Sequence, residues 1–170
     1  MHAIEIKRHD TSHDLPVMIL LHGYGAGSCI FYRNMKDLSA HFHLFIVDLL
    51  GMGSSGWPPF LIDYSVDSAE DFFISGLRQW KTKVWADKGW DAELKKHILA
   101  GHSLGGYLAS VYAMLYEAEI EHLVLLSPVG VPEKPMDFRF ENIAGKYNTV
   151  AKRMASRAIL RLWDRSLTPF

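Results

Sequence analysis

Four short apolar runs, each closed by a turn residue, constrain this chain more than any other feature. They are "VMILLHG" at 17–23, "HLFIVD" at 43–48, "KHILAG" at 96–101 and "EHLVLLSP" at 121–128. A continuous apolar run too short for a helix reads as a strand covered on both faces, and such strands occupy parallel sheets. The stretches between them have helical character. Residues 31–41 look helical, and residues 65–86 place apolar side chains at helical spacing behind Ser65 as a cap and Asp67 as a first-turn acid. A further helix is expected from about Leu104 to Glu117. Strands alternating with helices imply an α/β fold with a mostly parallel sheet and flanking helices. "AIEIKR" at 3–8 alternates apolar and polar residues as a half-buried strand does, and "TSHDLP" at 11–16 reads as a turn. After Pro135 no strand follows and the tail turns helical and basic, so a boundary is expected there, with residues 1–135 as the sheet core.

At 170 residues the chain suits one domain with a sizeable core. Eighteen Lys and Arg nearly balance nineteen Asp and Glu, so no global field points to nucleic acid or another polyanion. Cys29 is the single cysteine and cannot form an internal disulfide, which fits a reducing compartment. The start lacks the basic-then-apolar pattern of a signal peptide, and no apolar run reaches membrane-spanning length. A soluble, cytoplasmic protein is expected.

Gly101-His102-Ser103-Leu104-Gly105 matches G-x-S-x-G, with a buried strand before it and a helix after it. A sharp strand-to-helix turn lifts the serine hydroxyl clear of the sheet, and only small residues two positions to either side permit the close approach. The helix N-terminus then stabilises negative charge beside the hydroxyl. Acyl transfer also needs preorganised donors for an oxyanion, which backbone N–H groups supply without reorganising. The Leu104 N–H is one candidate. The other is a loop N–H near Tyr24, in His22-Gly23-Tyr24-Gly25 after the first buried strand. The alternative for that loop is a tight turn without chemistry, but paired with Ser103 the functional reading prevails.

Two other motifs carry no function. Gly51 to Gly56 matches the dinucleotide fingerprint, but Trp57-Pro58-Pro59 follows where a phosphate-binding helix would have to open. Two H-x(4)-D matches, His43 to Asp48 and His9 to Asp14, fall in a buried strand and a turn and read as chance.

"HGYGAG", "DLLGMGSSGWP", "GHSLGGYLAS", "HLVLLSPVGVPEKP" and the terminal "LTPF" together resemble the α/β-hydrolase superfamily, and within it the α/β-hydrolase-domain 4 and 5 branch. The resemblance implies a partial α/β-hydrolase fold with the start of a helical cap over 136–170. It also implies a serine nucleophile acting on lipid esters of the lysophospholipid or N-acyl-phospholipid type, as hydrolase or acyltransferase, with neither metal nor organic cofactor. One relative is instead a lipase co-activator carrying asparagine at the nucleophile position, so a non-catalytic lipid-surface protein is the alternative. Ser103 places this chain with the catalytic members.

In this fold the triad runs in chain order serine, acid, histidine. The only histidine after Ser103 is His122, which begins the fourth apolar run. A strand of about five residues spans roughly 17 Å, so His122 belongs at the opposite sheet edge from Ser103. His22 and His102 lie at the correct edge but read as loop-bracing groups, with no evident carboxylate to orient either. Glu133 and Asp137 could orient a base, but none stands beside them. The resemblance puts the acid and histidine after two further strands, so the chain is expected to be C-terminally truncated within the cap and weakly active by itself. Arg153, Arg157, Arg161 and Arg165 recur every four residues within the basic stretch 146–165, opposite Val150, Met154, Ala158, Leu162 and Trp163. This is either a helix for a lipid headgroup layer or a cap helix with a solvated basic face. The lipid version, which the resemblance supports, implies peripheral contact with a membrane, lipid droplet or mitochondrion.

Overall fold

A computed structural model describes residues 1–7, 15–59, 65–91 and 93–130. The chain divides into two compact units, Met1–Val131 and Pro132–Phe170, and all described residues lie in the first. The cap expected over 136–170, Glu133, Asp137, the basic stretch 146–165 and most of the 11–16 turn fall outside the described residues.

The apolar runs become β2 (Val17–Leu21), β3 (His43–Val47), β4 (His97–His102) and β5 (Ile120–Leu126), and the alternating N-terminal segment becomes β1 (Ala3–Ile6). They form one sheet in the order β1-β3-β2-β4-β5. The β3–β2, β2–β4 and β4–β5 pairs are parallel, and β1 runs antiparallel to β3. Leu21 lies beside Val47 on one side and Gly101 on the other, so β2, β3 and β4 end together. Because β1 is antiparallel, its first residue, Ala3, pairs with Val47 at that same edge. His2, His22, Asp48 and Ser103 therefore share one edge of the sheet.

Side-chain alternation sorts the central strands between two cores. Val17, Ile19, Leu21, Phe45, Val47 and Leu99 face Ile74, Leu77 and Trp85 of α2 (Val66–Asp87) and Leu108, Ala109 and Tyr112 of α3 (Leu104–Leu115). Met18, Leu20, Leu44, Ile46, Ile98 and Ala100 face the other way, against Phe31 and against Met35 and Leu38 of α1 (Tyr32–Leu38). All five residues of β2 and of β3 are buried, as strands covered on both faces require. Ser65 caps α2 by accepting the Ser68 N–H at 3.1 Å. The helical start read at residue 31 is corrected to a 3-10 turn over Ser28–Phe31 that leads into α1.

The fourth run departs from its expectation. It forms a strand, but an exposed one, with Leu123 and Val124 each 38 % and Leu126 41 % exposed. Among the described residues β5 pairs with β4 alone.

Candidate active site

Ser103 stands between β4 and α3 with φ 54° and ψ −116°, a conformation that L-residues rarely adopt. Such a residue costs of order 1–3 kcal/mol and persists only where its surroundings over-determine it. They do so here. The Ser103 N–H donates to the Leu126 carbonyl at 3.1 Å, tying the elbow to the end of β5. Its carbonyl accepts N–H groups from Gly106 at 3.0 Å, Tyr107 at 3.1 Å and Val129 at 3.2 Å. Ser103 itself is half-buried.

The flanking glycines are dictated by backbone approach. A Cβ on Gly105 would lie 2.5 Å from the His22 carbonyl oxygen and 2.6 Å from that of Leu21, so α3 starts directly against the end of β2. A Cβ on Gly101 would collide with the Gly105 carbonyl. Leu104 is the first residue of α3, and the first N–H groups of a helix have no partner within it.

The loop after β2 comes down on the serine from the other side. A Cβ added to Gly23 would sit 3.0 Å from Ser103 Cβ and 3.3 Å from His102 Nδ1. The chain then turns through exposed Tyr24 and through Gly25 at φ 65°, closed by the Ala26 N–H donating to the Gly23 carbonyl at 3.3 Å. Ser103, Leu104, His102 and the Gly23–Tyr24 loop are thus gathered at one point.

The histidines divide by their partners. His22 is fully buried; its Nδ1 donates to the Gly23 carbonyl at 2.7 Å, and its Nε2 accepts the Leu49 N–H at 3.0 Å. Asp48 Oδ1 also lies 3.9 Å from His22 Nε2, but that nitrogen is already accepting the Leu49 proton and pairs with Leu49 instead. With both nitrogens engaged, His22 braces the loop and has no lone pair left for Ser103. His102 Nδ1 is buried and has no hydrogen-bond partner among the described residues. His122 pairs in register with Ile98, four residues before Leu126, which puts it roughly 13 Å along the strand from the elbow.

Sequence reasoning passed over Asp48, which appeared only as the end of a chance H-x(4)-D. His43 and Asp48 flank opposite ends of β3, and His43 bonds Glu5 at 2.6 Å far from the elbow. Asp48, by contrast, is 2 % exposed at the site edge. Burial pushes its carboxyl up, but hydrogen bonds from the Ser54 and Ser28 amides and from His2 outweigh this and hold it below the usual carboxylate range. The available signal was an acid ending a buried strand immediately before a glycine-rich loop.

No group of three or more His, Cys, Asp or Glu among the described residues could hold a metal ion. No helix among them is long and apolar enough to cross a membrane. A groove of about 1040 Å³ runs along the outer face of α2, lined in part by Leu50, Phe72 and Trp80, and does not reach the elbow.

Comparison with known proteins matches residues 16–169 to the alpha/beta hydrolase fold family. The 1-acylglycerol-3-phosphate O-acyltransferase ABHD5 of Rattus norvegicus is 36 % identical over 127 residues, covering 75 % of this chain and 33 % of that protein. A (lyso)-N-acylphosphatidylethanolamine lipase of Mus musculus is 36 % identical over 124 residues, covering 73 % of this chain and 33 % of that protein. The crystal structure of a membrane phospholipase A, a bacterial virulence factor, superposes with a TM-score of 0.57 at 25 % identity, covering 78 % of this chain and 38 % of that one. The matches span about a third of the length of these curated relatives.

Proposed function

The chain belongs to the α/β-hydrolase family, and from that premise we propose that Ser103 is the nucleophile of a serine acyl hydrolase or acyltransferase acting on lipid esters of the lysophospholipid or N-acyl-phospholipid type. The observation that carries the reading is the conformation of Ser103, held at φ 54° with a helix N-terminus behind it and Gly23 against its Cβ. The substrate class comes from the names of the relatives, an acyltransferase on acylglycerol phosphate and a lipase on N-acylphosphatidylethanolamine.

In this reading Ser103 Oγ attacks the ester carbonyl carbon and gives its proton to a base. The carbonyl π pair becomes an alkoxide held by the N–H groups of Leu104 and Tyr24. Collapse expels the alcohol, which leaves with that proton, and the acyl-serine passes its acyl group to water or to a lysolipid hydroxyl. His22, Gly23, Gly25 and His102 shape the loop. No metal or organic cofactor takes part, because the serine supplies the covalent step.

Among the described residues His22 is doubly engaged and His122 lies at the other edge, so neither is placed to serve Ser103 as its base. Serine and oxyanion donors alone retain about 10³–10⁴-fold acceleration over water, so slow turnover of an activated ester is expected from the 170 residues. A fluorophosphonate probe, incubated for hours, should label Ser103, and Ser103→Ala should abolish the label. Labelling of the folded chain that survives this substitution would remove the assignment.

A non-catalytic role at a lipid surface is the second reading, favoured by the double engagement of His22 and the placement of His122 away from Ser103. Flotation with anionic phospholipid vesicles separates the two. Loss of flotation in Arg157→Glu/Arg161→Glu, together with an unlabelled Ser103, would select the binding role.

A further inference from the structure

We infer that Asp48 is a positioning residue for the oxyanion loop: a buried carboxylate that ties the loop after β2 to the glycine-rich loop after β3. The inference rests on the reading of Ser103 as nucleophile. Asp48 Oδ1 accepts the Ser28 N–H at 2.5 Å, and Oδ2 accepts the Ser54 N–H at 2.9 Å. Oδ2 also pairs with His2 Nδ1 at 2.8 Å. The main chain of Asp48 is tied down as firmly. Its carbonyl accepts the Ser55 hydroxyl at 2.5 Å, and its N–H donates to the His2 carbonyl at 3.0 Å.

These contacts form one brace with a direction. Ser28 ends the loop whose beginning, Gly23, lies against Ser103 Cβ, and His22 pins that beginning through Leu49, the residue after Asp48. Both ends of the Gly23–Ser28 loop are therefore referred to the same point at the end of β3. Tyr24, the proposed second donor, lies between them. An oxyanion donor works only if it is held in place before charge develops. Hydrogen bonds to an ionised acceptor are about twice as strong as neutral ones, so a buried carboxylate with two main-chain donors can hold such a loop.

The glycines around Asp48 point the same way. A Cβ on Gly53, at φ 55°, would lie 2.5–2.7 Å from all three atoms of the carboxyl group. On Gly27 it would lie 3.3 Å from Asp48 Oδ1 and 3.2 Å from Gly53 Cα. The G-M-G-S-S-G stretch thus wraps a carboxylate that belongs to the chain itself, where a dinucleotide fingerprint would wrap a phosphate.

Asp48→Asn in the full 170-residue chain keeps the size and removes the charge. Its fluorophosphonate labelling rate at Ser103 is measured at a temperature where variant and wild type are both fully folded. Tyr112→Phe, at the opposite sheet edge, is the control for lost stability alone. Hydrogen exchange of the Ser28 and Ser54 amides reports whether the brace has opened. The expected result is labelling at least tenfold slower and both amides exchanging at least tenfold faster in Asp48→Asn, with the Leu99 amide unchanged. Tyr112→Phe should melt at a lower temperature and label within twofold of wild type. Unchanged amide exchange would overturn the brace, and faster exchange with unaltered labelling would overturn its link to the oxyanion loop. Failure of the wild-type chain to label strikes the nucleophile reading, and amide exchange then decides the brace independently. If Asp48→Asn does not fold, Gly27→Ala presses a methyl against the same carboxylate. It should slow labelling severalfold, and an unchanged rate would count against the inference.

Discussion

The two edges of the sheet each carry a carboxylate network, and the networks are built from different materials. At the edge carrying Ser103, Asp48 is bound chiefly by the main-chain N–H groups of Ser28 and Ser54, with the His2 ring beside them. At the other edge Glu119 accepts from Lys81 Nζ at 2.7 Å and the Tyr112 hydroxyl at 2.5 Å, with Arg78 at 3.5 Å. Those three side chains belong to α2 and α3, so Glu119 fastens helix to helix and both to the entry of β5. A carboxylate bonded to main-chain donors holds the course of a loop, whereas one bonded to side chains holds packed elements together. The first serves geometry near the serine, and the second serves stability.

The contrast breaks most readily at the glycines. Gly105→Ala drives a methyl into the His22 and Leu21 carbonyls, main-chain atoms that cannot rotate away. It should cost about 3 kcal/mol in urea unfolding and abolish Ser103 labelling even in the residual folded fraction. A variant that labels normally would show that the elbow tolerates a wider junction than the structure allows.

Glu119→Ala tests the other edge. Lys81 is 2 % exposed and would be left without its carboxylate, and removing one member of a buried pair costs about 3–5 kcal/mol. The lower end is expected, because Glu119 is 17 % exposed. Labelling measured below the new melting temperature should match wild type. Slowed labelling would mean that the edges are coupled through the sheet.

A third difference is a pH dependence. Burial and then the nearby Lys81 charge lower His97 to about 4, while Glu119 opposes the shift. Between about pH 4 and the ordinary histidine value near 6.5 the unfolded chain binds a proton that the folded chain refuses. Stability is therefore full above that window and falls as pH drops through it, at up to about 1.4 kcal/mol per pH unit. His43, lowered chiefly by burial against the opposing pull of Glu5, adds in the same direction. The carboxyls of Asp48 and Glu119, held low, contribute stability above the unfolded carboxylate value that is lost only in stronger acid. His97→Phe, whose ring can keep the edge contacts with Trp85 and Tyr112, should flatten the slope between pH 6.5 and 4. An undiminished slope in that variant would refute the assignment to His97.

Much of the molecule was legible from residue types alone. Periodicity is local, so β2, β3 and β4 could be read from runs of apolar residues, and α2 from its spacing behind Ser65. The elbow was legible because backbone crowding leaves few choices at Gly101 and Gly105. Asp48 was not, because a lone acid at a strand end has no meaning until another loop presents its N–H groups.

The sequence by itself determined that this chain builds a mostly parallel α/β sheet and bends sharply at a serine, since both follow from covalent geometry and short-range sterics. Tertiary structure alone decided which histidine nitrogens are occupied and which loop N–H groups meet the Asp48 carboxylate. Those outcomes depend on groups far apart in the chain that meet only once the strands have taken their order.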